Sequence, residues 1–169
     1  MLNQIKDKKV FFLFDVVVYF CPKSGNMIFS KSCEYAIRAV IFIAHQSRNG
    51  KKVSIREVAK GIDSPVHFIA KILQFLSKRN IIQSTKGPNG GFYLDKRAMK
   101  QTLEDVVIAM DGAEVFEGCA LGLRYCSEAR PCPLHEDFKQ IRASIRESLQ
   151  SITIGQFAEE DAIKPVLKR

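Results

Sequence analysis

SIREVAKGIDSPVHFIAKILQFLSKRNIIQSTKGPNGGFYL, residues 54–94, is the stretch that decides the fold. Ser54 and Glu57 stand at capping-box spacing, and Ile55, Val58 and Ala59 give an inward face to a short helix over residues 54–60. Gly61 breaks it. Ser64 then caps a second helix with Pro65 at its first position, and Phe68, Ile69, Ile72, Leu73 and Leu76 form its apolar face. Two short helices around a tight, Gly-containing turn are the helix-turn-helix pattern, whose second member lies in the major groove. Residues 81–85 and 92–94 are β-prone and flank GPNGG, which reads as a hairpin. In this position the hairpin is a wing. Lys86 stands at its base, and the glycines let backbone amides approach phosphates closely. Lys71, Lys78 and Arg79 add positive charge beside it. His67, on the exposed side of the second helix, faces either DNA or solvent. Helix–Gly–helix pairs and GPNGG turns occur singly in many proteins that never touch DNA; the ordered set is far more specific.

The flanks follow the same punctuation. Ser30 or Ser32 caps a helix in which Ala36, Ile37, Val40, Ile41, Ile43 and Ala44 recur at spacings of three and four, and Asn49-Gly50 stop it. Thr102 caps a further helix with Leu103, Val106, Val107 and Met110 inward, ending near Asp111-Gly112. Pro133 opens a long helix carrying Leu134, Phe138, Ile141, Ile145, Leu149 and Ile152. So narrow a seam packs either on the protein's own core or on a partner helix. A two-fold dimer is the natural partner for a DNA-reading module, which makes Phe138, Ile141, Ile145, Leu149 and Ile152 the expected dimer interface.

The totals agree. A chain of 169 residues with 46% hydrophobic and 26% charged residues supports one folded domain with an appended element. Twenty-six basic against eighteen acidic residues give a net charge of +8, which suits a polyanion. Residues 1–26 read differently. Lys6, Lys8 and Lys9 precede an apolar run over residues 10–20, too short for a hydrocarbon core that needs about 20 residues. No small-residue cleavage site follows it, and Cys21 lacks the small residues that precede a lipid-modified cysteine. Val16, Val17, Val18 and Tyr19 favour an extra strand; a true start at Met27 is the preferred reading. No membrane partner is expected.

The second chemical feature is CALGLRYCSEARPCPLH, residues 119–135. Three of five cysteines fall inside it, and His135 follows three positions after Cys132. Thiolates are soft ligands for iron–sulfur clusters, zinc or copper(I). The five cysteines do not resemble a secreted disulfide framework, so a reducing cytoplasm fits better. The short-spaced Cys pairs usual for zinc are absent, and a thiol near Arg124 or Arg130 leaves disulfide sensing open. No nucleophile–base constellation, P-loop or dinucleotide fingerprint appears, which argues against an enzyme.

The order of parts resembles the Rrf-type family of bacterial winged-helix regulators, which includes iron–sulfur and nitric-oxide-sensing members. The residues that carry the resemblance are Ser30-Lys31 with Tyr35-Ala36, SPVHFIAKIL from Ser64, KGPNGGF from Lys86, and the three-cysteine loop. It implies a mainly α fold with a small β wing, a winged helix-turn-helix followed by a long C-terminal dimerisation helix. It divides the chain into an extension (1–26), a DNA-binding domain (27–100), a sensor loop with dimerisation helix (101–157) and a tail (158–169). It implies a homodimer on double-stranded DNA. The contacts would come from Ser30, Lys31, Tyr35, Ser64, Pro65, His67, Lys71, Lys86, Asn89 and Gly90. It also implies an iron–sulfur cluster, 2Fe–2S ahead of 4Fe–4S, on Cys119, Cys126 and Cys132. His135 is the expected fourth ligand, with Glu128, Glu136 and Asp137 as alternatives. The sequence departs from the family in having six residues between Cys119 and Cys126, where several members have five. It also has Ala70 where many members carry an acidic residue, so base preference does not transfer. The rival functions are a winged-helix regulator that senses redox through thiols or zinc, and a small iron–sulfur redox protein, which would need no wing.

Overall fold

The computed structural model describes residues 28–159 and Leu167; the apolar run over residues 10–20, Cys21 and Met27 lie outside them. Helix α1, Lys31–Arg48, is the central element. Ser30 caps it by accepting from the Cys33 N–H at 3.1 Å, and Asn49 ends it. Ala36, Ala39, Val40, Ile43 and Ala44 are all wholly buried, so small residues let neighbouring helices come close on more than one side.

Helix α2, Ile55–Gly61, carries the full capping box. The Ser54 backbone N–H donates to Glu57 at 2.8 Å, and Lys51 pairs with the same carboxylate at 2.9 Å. The Ser54 backbone first, then Lys51 and the Ser54 hydroxyl, hold the Glu57 carboxyl down to about 2. A depressed carboxyl adds stability that is present above its ordinary range near 4.5 and lost as pH falls toward 2.

Gly61 does not break α2; it is the last helical residue. It is small because a Cβ there would overlap the Phe42 ring of α1. The left-handed residue of the turn is Asp63, at φ 50°. Ser64 is not the cap of the next helix either. Its N–H donates back to Ala59 at 2.9 Å to close the turn, so it is drawn inward. Helix α3 is Val66–Lys78, with Pro65 at the cap position and no side-chain cap bond. Ile69, Ile72, Leu73 and Leu76 are buried as the spacing predicts, and Phe68 is half-buried against Tyr35 with ring centroids 5.0 Å apart.

The wing is an antiparallel pair, β1 Gln83–Thr85 and β2 Gly91–Tyr93, with Ser84 opposite Phe92. Its base is tied to the residue that precedes α2. Val53 and Phe92 exchange backbone hydrogen bonds of 3.0 and 2.8 Å. That closeness explains Gly91, at φ +151°, where a Cβ would stand 2.8 Å from the Val53 carbonyl oxygen.

A 3-10 turn, Ala98–Lys100, leads to helix α4, Leu103–Asp111, which Thr102 and Asp105 cap reciprocally. A second 3-10 turn, Ala113–Phe116, opens the cysteine loop. Helix α5 is His135–Gln150, and Leu134 is its cap residue, so Pro133 stands ahead of the helix and does not open it. The chain then returns beside the start of α4, where Ile154 N–H donates to Gln101 O at 2.8 Å, and enters the short helix α6, Ile154–Phe157. Ile154 and Ala158 are wholly buried in the same core as Val40, Ile69 and Leu73. A smaller core of Cys33, Val107 and Phe116 joins α1 and α4, with Ile145 and Leu149 of α5 packed against it. Among the described residues no helix is long and apolar enough to cross a membrane.

Gly61→Ala is expected to destabilise the fold by about 1–3 kcal/mol, because the added carbon overpacks the Phe42 contact. Denaturant unfolding followed by circular dichroism measures it. An unchanged midpoint would mean that the ring swings aside at no cost.

Candidate functional site

Turns build the cysteine loop, because no regular helix brings residues at these spacings together. Gly122 N–H donates to Cys119 O at 2.9 Å, Cys126 N–H to Leu123 O at 3.1 Å and His135 N–H to Cys132 O at 2.9 Å. Between them Ser127 and Arg130 exchange backbone bonds of 3.2 and 3.0 Å. Gly122 supplies the left-handed turn at φ +67°. As a result the Cys119, Cys126 and Cys132 sulfurs all lie within 4.8 Å of one another, half-buried.

The electrostatics suit a ligand set. The Cys119 thiol is held below its ordinary range, first by the Leu123 backbone N–H and then by that of Leu121 and the two other cysteines. For Cys126 the Cys132 N–H, 3.4 Å from its sulfur, pulls downward, but desolvation and the neighbouring thiols outweigh it and raise the group. Three thiols this close compete for the same protons, and a bound cation relieves that competition by taking all three as thiolates.

His135 stands with Nδ1 3.2 Å from the Cys126 sulfur and Nε2 3.4 Å from Glu128 Oε1. Lys139 lies 2.8 Å from the same carboxylate oxygen, and Lys139 first, then His135, lower the Glu128 carboxyl. A carboxylate behind an imidazole is the usual arrangement of a metal-binding histidine and its orienting partner. Glu136 is turned to Gln140 at 3.5 Å, and Asp137 lines a shallow groove on α5. The donor set therefore fits a soft-metal or iron–sulfur centre, with three sulfurs converging and one imidazole beside them.

Helix α5 connects this loop to the rest of the chain by contacts that the sequence pattern did not reveal. Arg142 Nε donates to Phe116 O at 3.2 Å, and Arg146 Nε donates to Glu104 Oε1 of α4 at 2.6 Å. In the sequence Arg142 and Arg146 stand out only as two arginines one turn apart. At the other end of α4, Asp111 accepts from the Ser30 N–H at 2.8 Å and from its hydroxyl at 2.5 Å. Of the expected seam, Ile145 and Leu149 pack on the small core, Leu149 and Ile152 on the large one, and Ile152 lies beyond the end of α5. Phe138 is half-buried, while Ile141 is 51% and Leu134 44% exposed.

The expected DNA-contacting residues fall into two groups. His67, Lys71, Lys86, Asn89 and Pro65 are exposed on α3, its cap and the wing tip. Gly90 is half-buried, and a Cβ there would overlap the Thr85 carbonyl. Ser30 is exposed at the start of α1, and Lys31, Tyr35 and Ser64 are half-buried and engaged with the chain's own groups. Ser30 caps α1, Lys31 pairs with Glu34 at 3.1 Å, and Tyr35 lies under Arg38 at 4.5 Å. The Ser64 hydroxyl oxygen is buried without a hydrogen-bond partner.

Known proteins share this organisation. A model of the Rrf2 family, described as an iron-dependent transcriptional regulator, matches residues 29–160. A protein of Aquifex aeolicus described as an HTH-type transcriptional regulator is 34% identical over 144 residues, covering 83% of this chain and 99% of its own. The transcriptional regulator IscR of Klebsiella pneumoniae is 24% identical over 135 residues, covering 80% and 82%. Among solved structures, CymR, the global cysteine regulator of Bacillus subtilis, superposes with a TM-score of 0.64 at 19% identity, covering 80% of this chain and 97% of its own. The IscR of T. potens gives 0.61 at 20%, covering 79% and 88%, and both likenesses speak to the fold alone. With the winged helix-turn-helix, the three-cysteine loop and a family match across most of its length, this chain belongs to the Rrf2 family of transcriptional regulators.

Proposed function

We propose that this protein is a homodimeric, cytoplasmic regulator whose affinity for double-stranded DNA is set by an iron–sulfur cluster, 2Fe–2S, on Cys119, Cys126 and Cys132 with His135 as fourth ligand. The observation that carries the reading is the convergence of three sulfurs within 4.8 Å immediately ahead of α5. When bound, the cluster supplies a redox-active, chemically reactive centre whose imidazole ligand raises its potential. The remaining steps belong to the chain. Ordering residues 119–135 fixes the start of α5. Arg142 and Arg146 then hold α5 to Phe116 and Glu104, and α4 holds the start of α1 through Asp111. Exposed Ile141 and Leu134, with Phe138, give the partner subunit an apolar face at the cluster end of α5. A small rotation of that helix therefore changes the separation of two recognition helices. Half-sites must lie about 34–36 Å apart, so the change matters. A coupling of about 1–3 kcal/mol suffices for a 5- to 150-fold change in DNA affinity.

On DNA, His67 and Lys71 of α3 face the major groove, and Lys86, Asn89 and Gly90 of the wing face phosphates. Ser30, Lys31, Tyr35, Ser64 and Pro65 set the entry and orientation of the two helices that carry this surface.

Protein purified without oxygen is expected to be reddish-brown and to contain iron and acid-labile sulfide. Cys126→Ala abolishes the colour while the protein remains a folded dimer by sedimentation. Colourless protein with stoichiometric zinc would favour the zinc reading and overturn this one. Lys86→Ala is expected to weaken binding to every DNA sequence alike and to reduce the salt slope by about one unit; an unchanged slope removes the wing from the contact set. Arg146→Ala leaves the Glu104 carboxylate buried without its partner, at a cost of about 1–3 kcal/mol. The variant still binds iron, but its DNA affinity no longer responds to iron removal. If Arg146→Lys, which keeps the charge, and Arg146→Ala both respond like the parent, the coupling does not run through this pair.

A further inference from the structure

Resting on the reading of α3 as the major-groove helix, we infer that its reading face is built for A·T base pairs, with Val66 and Ala70 set against thymine methyl groups and Gln74 set to pair with adenine. The buried side of α3 takes Ile69, Ile72, Leu73 and Leu76. What remains outward is Val66, His67, Lys71, Gln74 and Lys78, with Ala70 half-buried among them and Pro65 exposed at the cap.

Two features of that face are unusual for a polar recognition surface. Its leading end is hydrocarbon: Val66, the first helical residue, is 46% exposed, and Pro65 precedes it without a side-chain cap. A lone exposed valine means little. Here it lies in line with Ala70 and Gln74 at intervals of four, one stripe rising along the outward side of the helix. The leading residues of a recognition helix are also the ones that meet base edges.

The second feature is what the helix lacks. VHFIAKILQFLSK contains no arginine, asparagine, aspartate or glutamate. Guanine is read bidentately by arginine or lysine and cytosine N4 by an acidic side chain, and the stripe of Val66, Ala70 and Gln74 holds none of these, Lys71 and Lys78 standing beside it. The thymine methyl is the hydrocarbon group of the major groove, so an apolar side chain gains there and strips water without replacement elsewhere. Gln74 is exposed, and its side chain makes no hydrogen bond among the described residues, so its amide is free for the N6 and N7 edge of adenine. His67, Lys71 and Lys78 flank the stripe and add positive potential beside it.

The test is selection from a random duplex pool with anaerobically purified protein, followed by uracil replacement of thymines in the selected half-site. The expected consensus has A·T pairs at the positions whose identity changes when Val66 or Gln74 is substituted. Uracil, which lacks only the methyl, is expected to weaken binding about 4-fold at each contacted thymine, the equivalent of about 0.8 kcal/mol for one buried carbon. Val66→Ser, at an exposed site, keeps the fold and loses the response to uracil at one position. Gln74→Ala relaxes the adenine preference at another. A consensus with G·C pairs at those positions, or equal binding of uracil and thymine duplexes, overturns the inference and leaves the regulator reading intact. Enrichment of no sequence at all overturns both.

Discussion

Glu104 is the residue on which the two halves of this molecule depend. It sits in the first turn of α4 with its side chain only 10% exposed, and a buried carboxylate is costly unless something pairs with it. Arg146, 42 residues later and 40% exposed, supplies both charge and hydrogen bond, and lays its guanidinium 5.6 Å from the centre of the Phe116 ring. The pair joins the helix behind the cysteine loop to the helix that carries the small core. It is half in water, so it is not an inert clamp. Its geometry fixes where α5 lies, and everything downstream of the cysteine loop is placed by α5.

Asp111 does the equivalent work at the far end of α4. By gripping Ser30 it joins the cap of α1 to the last turn of α4, 81 residues later. The Cys33 thiol lies in the same place, wholly buried, and burial first, then Asp111, raises its pKa well above the ordinary range. A thiol held so far from ionisation is chemically quiet. That separates it from the three cysteines of the loop, which share one small volume near the surface. The same element type thus serves as core at one site and as candidate ligand at another, and local geometry makes the difference.

Much of this was legible in the sequence because it is local. Ser54 with Glu57, Thr102 ahead of Leu103, and the glycines of the wing act within a few residues, and each marked its element. Ser64 was misread although its partner is local too. Its N–H closes on Ala59, five residues back, around left-handed Asp63, so it belongs to the end of α2 and not to the start of α3. The three cysteines and His135 could be picked out by residue type, but the turns that gather them could not be derived from spacing. The ties from Arg146 to Glu104 and from Asp111 to Ser30 carry no periodic signal at all. Ile145 and Leu149 kept their apolar pattern, and only packing could say that they lean on the chain's own core.

The backbone exchange between Val53 and Phe92 ties the wing to the residue just ahead of the α2 cap. The hairpin is therefore not a flap on a hinge. Reading helix and wing form a single calliper jaw, stiff from Val53 to Tyr93, with the two-residue approach of Gly91 and Val53 as its weld. A jaw of this kind can close on a duplex or stand off from it, but it cannot trade groove contacts for phosphate contacts. Helix and wing must then meet a duplex or leave it together, and a change that displaces one surface is felt by both at once.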